Sequence, residues 1–202
     1  MAQLTLFGSN EVVIADGERG RIVYTPGFVD AATAMRWFAE LRGVVPWRSE
    51  TRMMYDREVE VPRLLGSFRL DPPSPATPAA ILDARQRVVD HLGVPFTAVG
   101  LNLYRDGRDS VAPHNDHLDE LRKGFPIALL SLGAARRMTI REKAAPRRSM
   151  HIELASGSLL VMDYATQIHY DHGVPKTRDA VGERISLAFR VKPDKDSIRP
   201  SP

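Results

Sequence analysis

The chain has six histidines and no cysteine, so any transition metal must be held by His, Asp or Glu. Two candidate ligands sit together in His114-Asn115-Asp116. On extended backbone, residues i and i+2 share a face, so both side chains can reach one ion. Two ligands hold a metal loosely. His172, in His172-Gly173, supplies a third, and the chain between is long enough to form several strands and return. Two imidazoles and one carboxylate fill three corners of an octahedron and leave three open. Non-haem Fe(II) uses that arrangement to bind a co-substrate and oxygen. His91 falls at a predicted helix end, where a partly positive ring suits the dipole. His151 alternates with Met150 and Ile152 and should point outward. Neither is assigned chemistry.

A second pattern concerns anions. In Arg184-Ile185-Ser186-Leu187-Ala188-Phe189-Arg190 the apolar residues alternate strictly, leaving Arg184, Ser186, Ala188 and Arg190 on the other face. Two guanidinium groups on a half-buried face are costly without anions. Their Cα atoms should lie roughly 20 Å apart at about 3.3 Å per residue. Side chains leaning toward each other would leave a gap that suits a small dicarboxylate; on a solvated face they would need no partner. In Val99 to Tyr104 the leucines face one way, and Asn102 and Tyr104, both able to donate to a carboxylate, face the other.

These residues need a scaffold. With 202 residues, 43% hydrophobic and 26% charged, the chain suits one globular domain. No run approaches the roughly 18 apolar residues of a membrane span, and the N-terminus lacks a secretory pattern. A cytoplasmic protein with no membrane partner is expected. One helix follows Asp30, carries Ala34, Phe38 and Leu41, and stops near Gly43. A second opens at Thr77-Pro78, carries Ile81, Ala84, Val88 and Leu92, and ends at Gly93. Between them, 47–73 reads as hairpins or irregular cover rather than core, with short strands possible at 58–62 and 64–70. After Gly93, short strands with turn signals follow at 97–105, 126–132, 137–142, 149–154, 158–162 and 184–191. The fold class is α+β, an antiparallel β core with helices on one side. A net charge of +3 permits a nucleic-acid partner without demanding one. The cluster Arg136, Arg137, Arg141, Lys143, Arg147 and Arg148 could bind phosphates or be a solvated hairpin.

Asn102-Leu103-Tyr104, His114-Asn115-Asp116, His172-Gly173 and Arg184 to Arg190, taken in order, resemble the AlkB family of Fe(II)- and 2-oxoglutarate-dependent dioxygenases. The stretches 126–134 and 157–160 are also similar to it, and Pro62-Arg63-Leu64 is loosely so. The resemblance implies a double-stranded β-helix (jelly-roll) core with flanking N-terminal helices. It implies one domain over 1–192, with 1–96 as extension and substrate cover, 97–192 as core, and 193–202 as a flexible tail. His114, Asp116 and His172 would be catalytic iron ligands. Asn102, Tyr104, Arg184, Ser186 and Arg190 would line the 2-oxoglutarate site. The activity implied, with O2 as oxidant, is oxidative dealkylation of N-alkylated nucleobases by a monomer acting on single-stranded nucleic acid. The same chemistry on a protein side chain or small molecule, or a non-catalytic binding module, are the alternatives. This sequence departs from the family where Ser186 and Ala188 replace Asn and Thr, and where Leu118 replaces an acid that meets the damaged base, although Asp119 and Glu120 follow. Arg63, Phe68, Leu118, Asp119, Arg147 and Arg148 are the candidate substrate contacts, with Phe68 the candidate for base stacking.

Overall fold

The computed structural model describes residues 10–54 and 57–193, so the tail expected beyond Pro193 lies outside the described residues. In chain order the elements are β1 (Val12–Ala15), β2 (Ile22–Thr25), α1 (Ala31–Val44), β3 (Thr51–Met54), β4 (Arg57–Glu60) and β5 (Leu64–Arg69). There follow α2 (Ala79–Leu92), β6 (Ala98–Tyr104), β7 (Val111–His114), a 3₁₀ turn at Leu118–Glu120, β8 (Ile127–Gly133) and β9 (Arg136–Glu142). β10 (Ser149–Leu154), β11 (Leu159–Met162), α3 (Thr166–His169), β12 (Tyr170–Val174) and β13 (Arg184–Arg190) complete the chain.

A seven-stranded sheet in the order β1-β2-β11-β8-β13-β6-β5 faces a four-stranded sheet in the order β10-β9-β12-β7. Every ladder is antiparallel, and the two facing sheets form a jelly roll. β1, β2 and β5 come from the N-terminal half yet complete the larger sheet. β3 and β4 form a separate hairpin. The cover expected over 47–73 is therefore only partly cover, because β5 is a sheet strand paired with β6 along its whole length. Among the described residues no helix is long and apolar enough to cross a membrane.

β13 shows how two-residue periodicity builds two cores. Ile185, Leu187 and Phe189 join Val99, Leu101 and Leu103 against Trp37, Leu41, Ile81 and Val88 of the helices. Ala188 and Tyr104 face Met138 and Ile140 across the gap between the sheets. Burying each large apolar side chain contributes about 1.5–3 kcal/mol. A one-residue slip would exchange the faces and drive the arginines into the helix-side core, so the helices fix the register of the polar face.

α1 begins as expected, with the Asp30 carboxylate accepting from the Thr33 N–H, but Gly43 lies inside it and Val45 caps it. Trp37, not Phe38, is the fully buried aromatic of that helix. α2 ends on Gly93 in the left-handed conformation (φ 66°). Its start has no side-chain cap, and the Thr77 hydroxyl is buried without a partner. The short strands β1, β2, β3, β7 and β12 were not expected from periodicity. In β7 and β12 polar ligand-type residues break the apolar alternation, and pairing with neighbouring strands holds the segments extended instead.

Candidate active site

β7 lies beside β12, with His114 directly opposite His172. Opposed antiparallel partners have their Cβ atoms about 5 Å apart, and the two rings meet with centroids 4.5 Å apart. Asp116 follows two residues beyond the strand. The ligand atoms of His114, Asp116 and His172 lie within 4.8 Å of one another, and among the described residues no second group of three metal-binding side chains is found. His114 Nδ1 is 3.0 Å from the Ala112 carbonyl oxygen. Donation there fixes the tautomer and leaves Nε2 as the donor to a metal. Two imidazoles and a carboxylate with open positions fit an iron ion.

The protonation states suit that role. His172 is 6% exposed, and burial, then the neighbouring His114 charge, push its pKa from 6.5 to about 4. It is therefore neutral and able to ligate near pH 7. Burial alone would raise the Asp116 carboxyl, but the Arg190 guanidinium, whose Nε lies 2.5 Å from Oδ2, outweighs it and holds the pKa below the usual carboxylate value. The metal-free protein should lose stability as pH falls from about 6.5 toward 4, because the unfolded chain binds a proton at His172 that the folded chain excludes. Urea unfolding across that window measures the slope. His172→Ala should flatten it, and equal slopes in the two proteins would show that His172 is not held neutral.

The anion pattern resolves into two ends. Arg184 is fully buried, with Nη2 donating to the Ser131 hydroxyl at 2.9 Å and its guanidinium 5.1 Å from the centre of the Tyr104 ring. Its Nε and Nη1 have no hydrogen-bond partner. Orphaned N–H groups on a buried cation cost several kcal/mol unless an anion meets them. They are the observation by which a 2-oxoglutarate carboxylate fits this site. Arg190, at the other end, does not lean toward Arg184 as the alternation suggested. The buried Asp116 carboxylate needs a counter-charge and takes it. Gly100 makes room there, since a Cβ on it would come within 3.2 Å of Arg190 Nη1.

Between the two arginines, Ser131, Ser186 and Asn102 form one polar row across three adjacent strands. Asn102 Oδ1 accepts from Arg63 Nε at 2.7 Å. A guanidinium only donates, so this contact assigns the amide oxygen and leaves Nδ2 to donate elsewhere. Arg63 is thus anchored to β6 as well as lining the open cleft, of about 650 Å³, that reaches His114 and Asp116.

Other expected contacts fall elsewhere. Phe68 shares a face with Val99 and packs against the helix-side core, so it is not placed to stack on a base. Leu118 and Asp119 sit on the 3₁₀ turn and do not line the cleft. Glu120 does, and it is paired with Lys192 at 2.7 Å. Within the basic cluster, Arg136 is 2% exposed and donates to the carbonyls of Asp106, Asp109 and Pro175, which removes it from any phosphate surface. Arg147 and Arg148 are exposed on the β9–β10 turn. Ser131 was missed, although a lone polar residue in the apolar run 127–132 marks a buried partner. Gln167, whose side chain bonds the Asp116 backbone, lies in a segment with no periodicity to single it out.

Comparison with known proteins agrees with this arrangement. Residues 21–190 match the family model described as the 2OG-Fe(II) oxygenase superfamily. The chain is 32% identical over 205 residues to "Alpha-ketoglutarate-dependent dioxygenase alkB homolog 3" of Bos taurus, covering 93% of this chain and 72% of that protein. It is 38% identical over 113 residues to "DNA oxidative demethylase ALKBH2" of Mus musculus, covering 52% of this chain and 47% of that one. In fold it is similar to the structure of OsALKBH1, with a TM-score of 0.55, 15% identity, and 84% and 97% of the two chains covered. It is similarly close to a prolyl-4-hydroxylase of Pseudomonas putida, with a TM-score of 0.55, 18% identity, and 85% and 93% covered. With the family model spanning most of the chain, and a relative above 30% identity aligned over nearly all of it, the chain belongs to the AlkB family of Fe(II)- and 2-oxoglutarate-dependent dioxygenases.

Proposed function

We propose that the protein oxidatively removes alkyl groups from nucleobases in single-stranded nucleic acid, with His114, Asp116 and His172 as iron ligands. The observation that carries the proposal is the triad, two of whose members line an open cleft, together with a fully buried arginine with two unpaired N–H groups at the other end of β13 from Arg190. Iron and 2-oxoglutarate together supply the oxidation, consuming O2 and yielding succinate, CO2 and a hydroxylated alkyl carbon that leaves as an aldehyde.

The chain's own residues do the rest. Arg184 and Tyr104 hold the buried carboxylate end of the co-substrate, and Ser131 keeps the guanidinium aimed. Asn102, its oxygen engaged by Arg63, offers its amide N–H groups to the same ligand. Arg190 keeps Asp116 ionised and so competent as a ligand. Arg63 on the cleft wall adds a positive charge that suits a polyanion. The β9–β10 hairpin adds Arg147 and Arg148. Lys143, at the base of that hairpin, bonds Asn115 between His114 and Asp116. The named activity of the ALKBH2 relative, DNA oxidative demethylation, supports the nucleic-acid substrate. A base must leave its stack to enter such a cleft, which costs least in a single strand.

Formaldehyde release from methylated single-stranded oligonucleotides, duplexes and peptides tests this. Single strands should turn over fastest. Arg147→Gln with Arg148→Gln should flatten the salt slope by about 0.7 per lost phosphate contact, leaving uncoupled 2-oxoglutarate turnover unchanged. Coupled turnover on a peptide with none on any oligonucleotide would overturn the substrate and leave the dioxygenase.

A further inference from the structure

β7 ends at His114, so Asp116 has no ladder partner to hold its backbone. A buried network takes the ladder's place. The Asp116 N–H donates to Gln167 Oε1 at 3.0 Å, and Gln167 is only 1% exposed. Gln167 Nε2 donates to the Thr166 hydroxyl at 3.1 Å, whose own hydrogen goes to the Asp163 carbonyl at 2.6 Å. That hydroxyl can therefore only accept from Gln167, which fixes the amide with its oxygen toward Asp116. Lys143 Nζ donates to the Gln167 carbonyl and to Asn115 Oδ1, both at 2.8 Å. Asn115 Nδ2 in turn donates to the Asp116 carbonyl at 2.9 Å. Both backbone polar groups of Asp116 are tied, the N–H from α3 and the carbonyl through Asn115, which Lys143 just past β9 holds in turn.

Such bonds matter because Arg190 pulls on the carboxylate. An unrestrained loop would let Asp116 follow the guanidinium and leave the two imidazoles. Given His114, Asp116 and His172 as ligands, on which this rests, we infer that Gln167, backed by Lys143, is the positioning residue of the metal site. It fixes the Asp116 backbone so that one carboxylate oxygen stays with the histidines while the other pairs with Arg190. Nothing in the ligand motif or the co-substrate strand assigns either residue this role. Neither touches the metal, so neither is a catalytic residue.

Titration of the whole protein with Co(II), followed by its visible absorption, reads affinity and ligand geometry without turnover. Gln167→Met removes the acceptor at similar size. It should weaken Co(II) binding by about 10–100-fold, the usual effect of losing a group that orients a ligand, and should alter the band. Gln167→Glu keeps an oxygen for the Asp116 N–H but sets its other oxygen against the Thr166 hydroxyl, and should restore part of the affinity. Lys143→Met should give a smaller loss. Wild-type affinity and spectrum in Gln167→Met would overturn the clamp, while loss of binding in His172→Ala alongside would leave the metal site standing. Undiminished Co(II) binding in His172→Ala would instead overturn the ligand assignment and the clamp with it. If Gln167→Met does not fold, Lys143→Met decides, since its side chain is 33% exposed and its removal leaves no buried gap. Wild-type affinity there would overturn the clamp.

Discussion

Replacing Arg184 with Met is expected to make the co-substrate-free protein more stable and to weaken 2-oxoglutarate binding by about 10²- to 10⁴-fold. Both effects come from one side chain. The free protein buries a guanidinium completely and satisfies only one of its nitrogens, through Ser131. Burial also lowers its pKa, which marks an environment hostile to the charge. Exchanging a poorly paired buried ion for an apolar side chain of similar volume commonly gains about 1–4 kcal/mol. When the carboxylate arrives, the balance reverses. A charge-assisted, bidentate pair forms, and removing one partner of such a pair costs about 3–5 kcal/mol, which is the quoted loss of affinity. Saturating 2-oxoglutarate stabilises the wild type by mass action and leaves Arg184→Met untouched, so the stability order of the two should invert on adding it. Arg184→Lys keeps the charge but not the fork, and should recover part of the binding. Calorimetry and thermal unfolding with and without 2-oxoglutarate measure both halves. Normal binding in Arg184→Met would remove β13 from the co-substrate site.

The legibility of β13 in sequence has the same physical source. Its alternation is strict because both faces are buried in different environments, wholly apolar toward the helices and mixed polar and apolar between the sheets. Asn102 and Tyr104 were visible for the same reason, being the direct neighbours of Ser186 and Arg184 across the ladder. The partners of these groups were not visible. That Arg190 pairs with Asp116, Arg63 with Asn102, and Arg184 with Ser131 depends on contacts between residues far apart in the chain, which no local period encodes.

Elsewhere the local signal and the tertiary environment disagreed. Arg136 sits in a run of basic residues that reads as surface, but its position opposite Tyr104 and three carbonyls makes it a buried bracket. Phe68 looked free to stack on a base because the segment around it is poorly periodic. Pairing β5 with β6 puts its odd-numbered neighbours Val99, Leu101 and Leu103 on the even positions Phe68, Gly66 and Leu64, all facing the helices. β12 escaped notice because Tyr-Asp-His-Gly-Val has no apolar rhythm of its own. Its extended shape is imposed by β7 and β9, and that shape is what sets His172 opposite His114.

Replacing His172 with Ala is the second large effect expected. His172 is the ligand most firmly held by the fold, in the interior of a strand paired on both sides, whereas His114 ends its strand and Asp116 lies in a loop. Without it, His114 and Asp116 remain, and Asp116 has Arg190 as a competing partner. Two ligands of which one is already paired hold iron poorly. A bound metal is worth several kcal/mol to such a reaction, so turnover should fall by at least about three orders of magnitude. The fold should survive, because the imidazole is neutral in the native protein and its removal deletes no charge pair. Loss of the buried ring costs packing, and loss of its unfavourable titration offsets part of that below about pH 6.5. In the proposed arrangement Arg184 and Tyr104 hold the other end of the co-substrate. Residual 2-oxoglutarate affinity should therefore persist in His172→Ala when it is lost in Arg184→Met, and the two variants separate the metal end from the anchor end. His151→Ala, an exposed histidine on the edge strand β10, should leave iron binding and turnover unchanged. Iron content, 2-oxoglutarate binding and succinate formation under controlled metal give the three readouts. Wild-type succinate formation in His172→Ala would exclude it as a ligand and leave His114 and Asp116 without the third donor that this geometry requires.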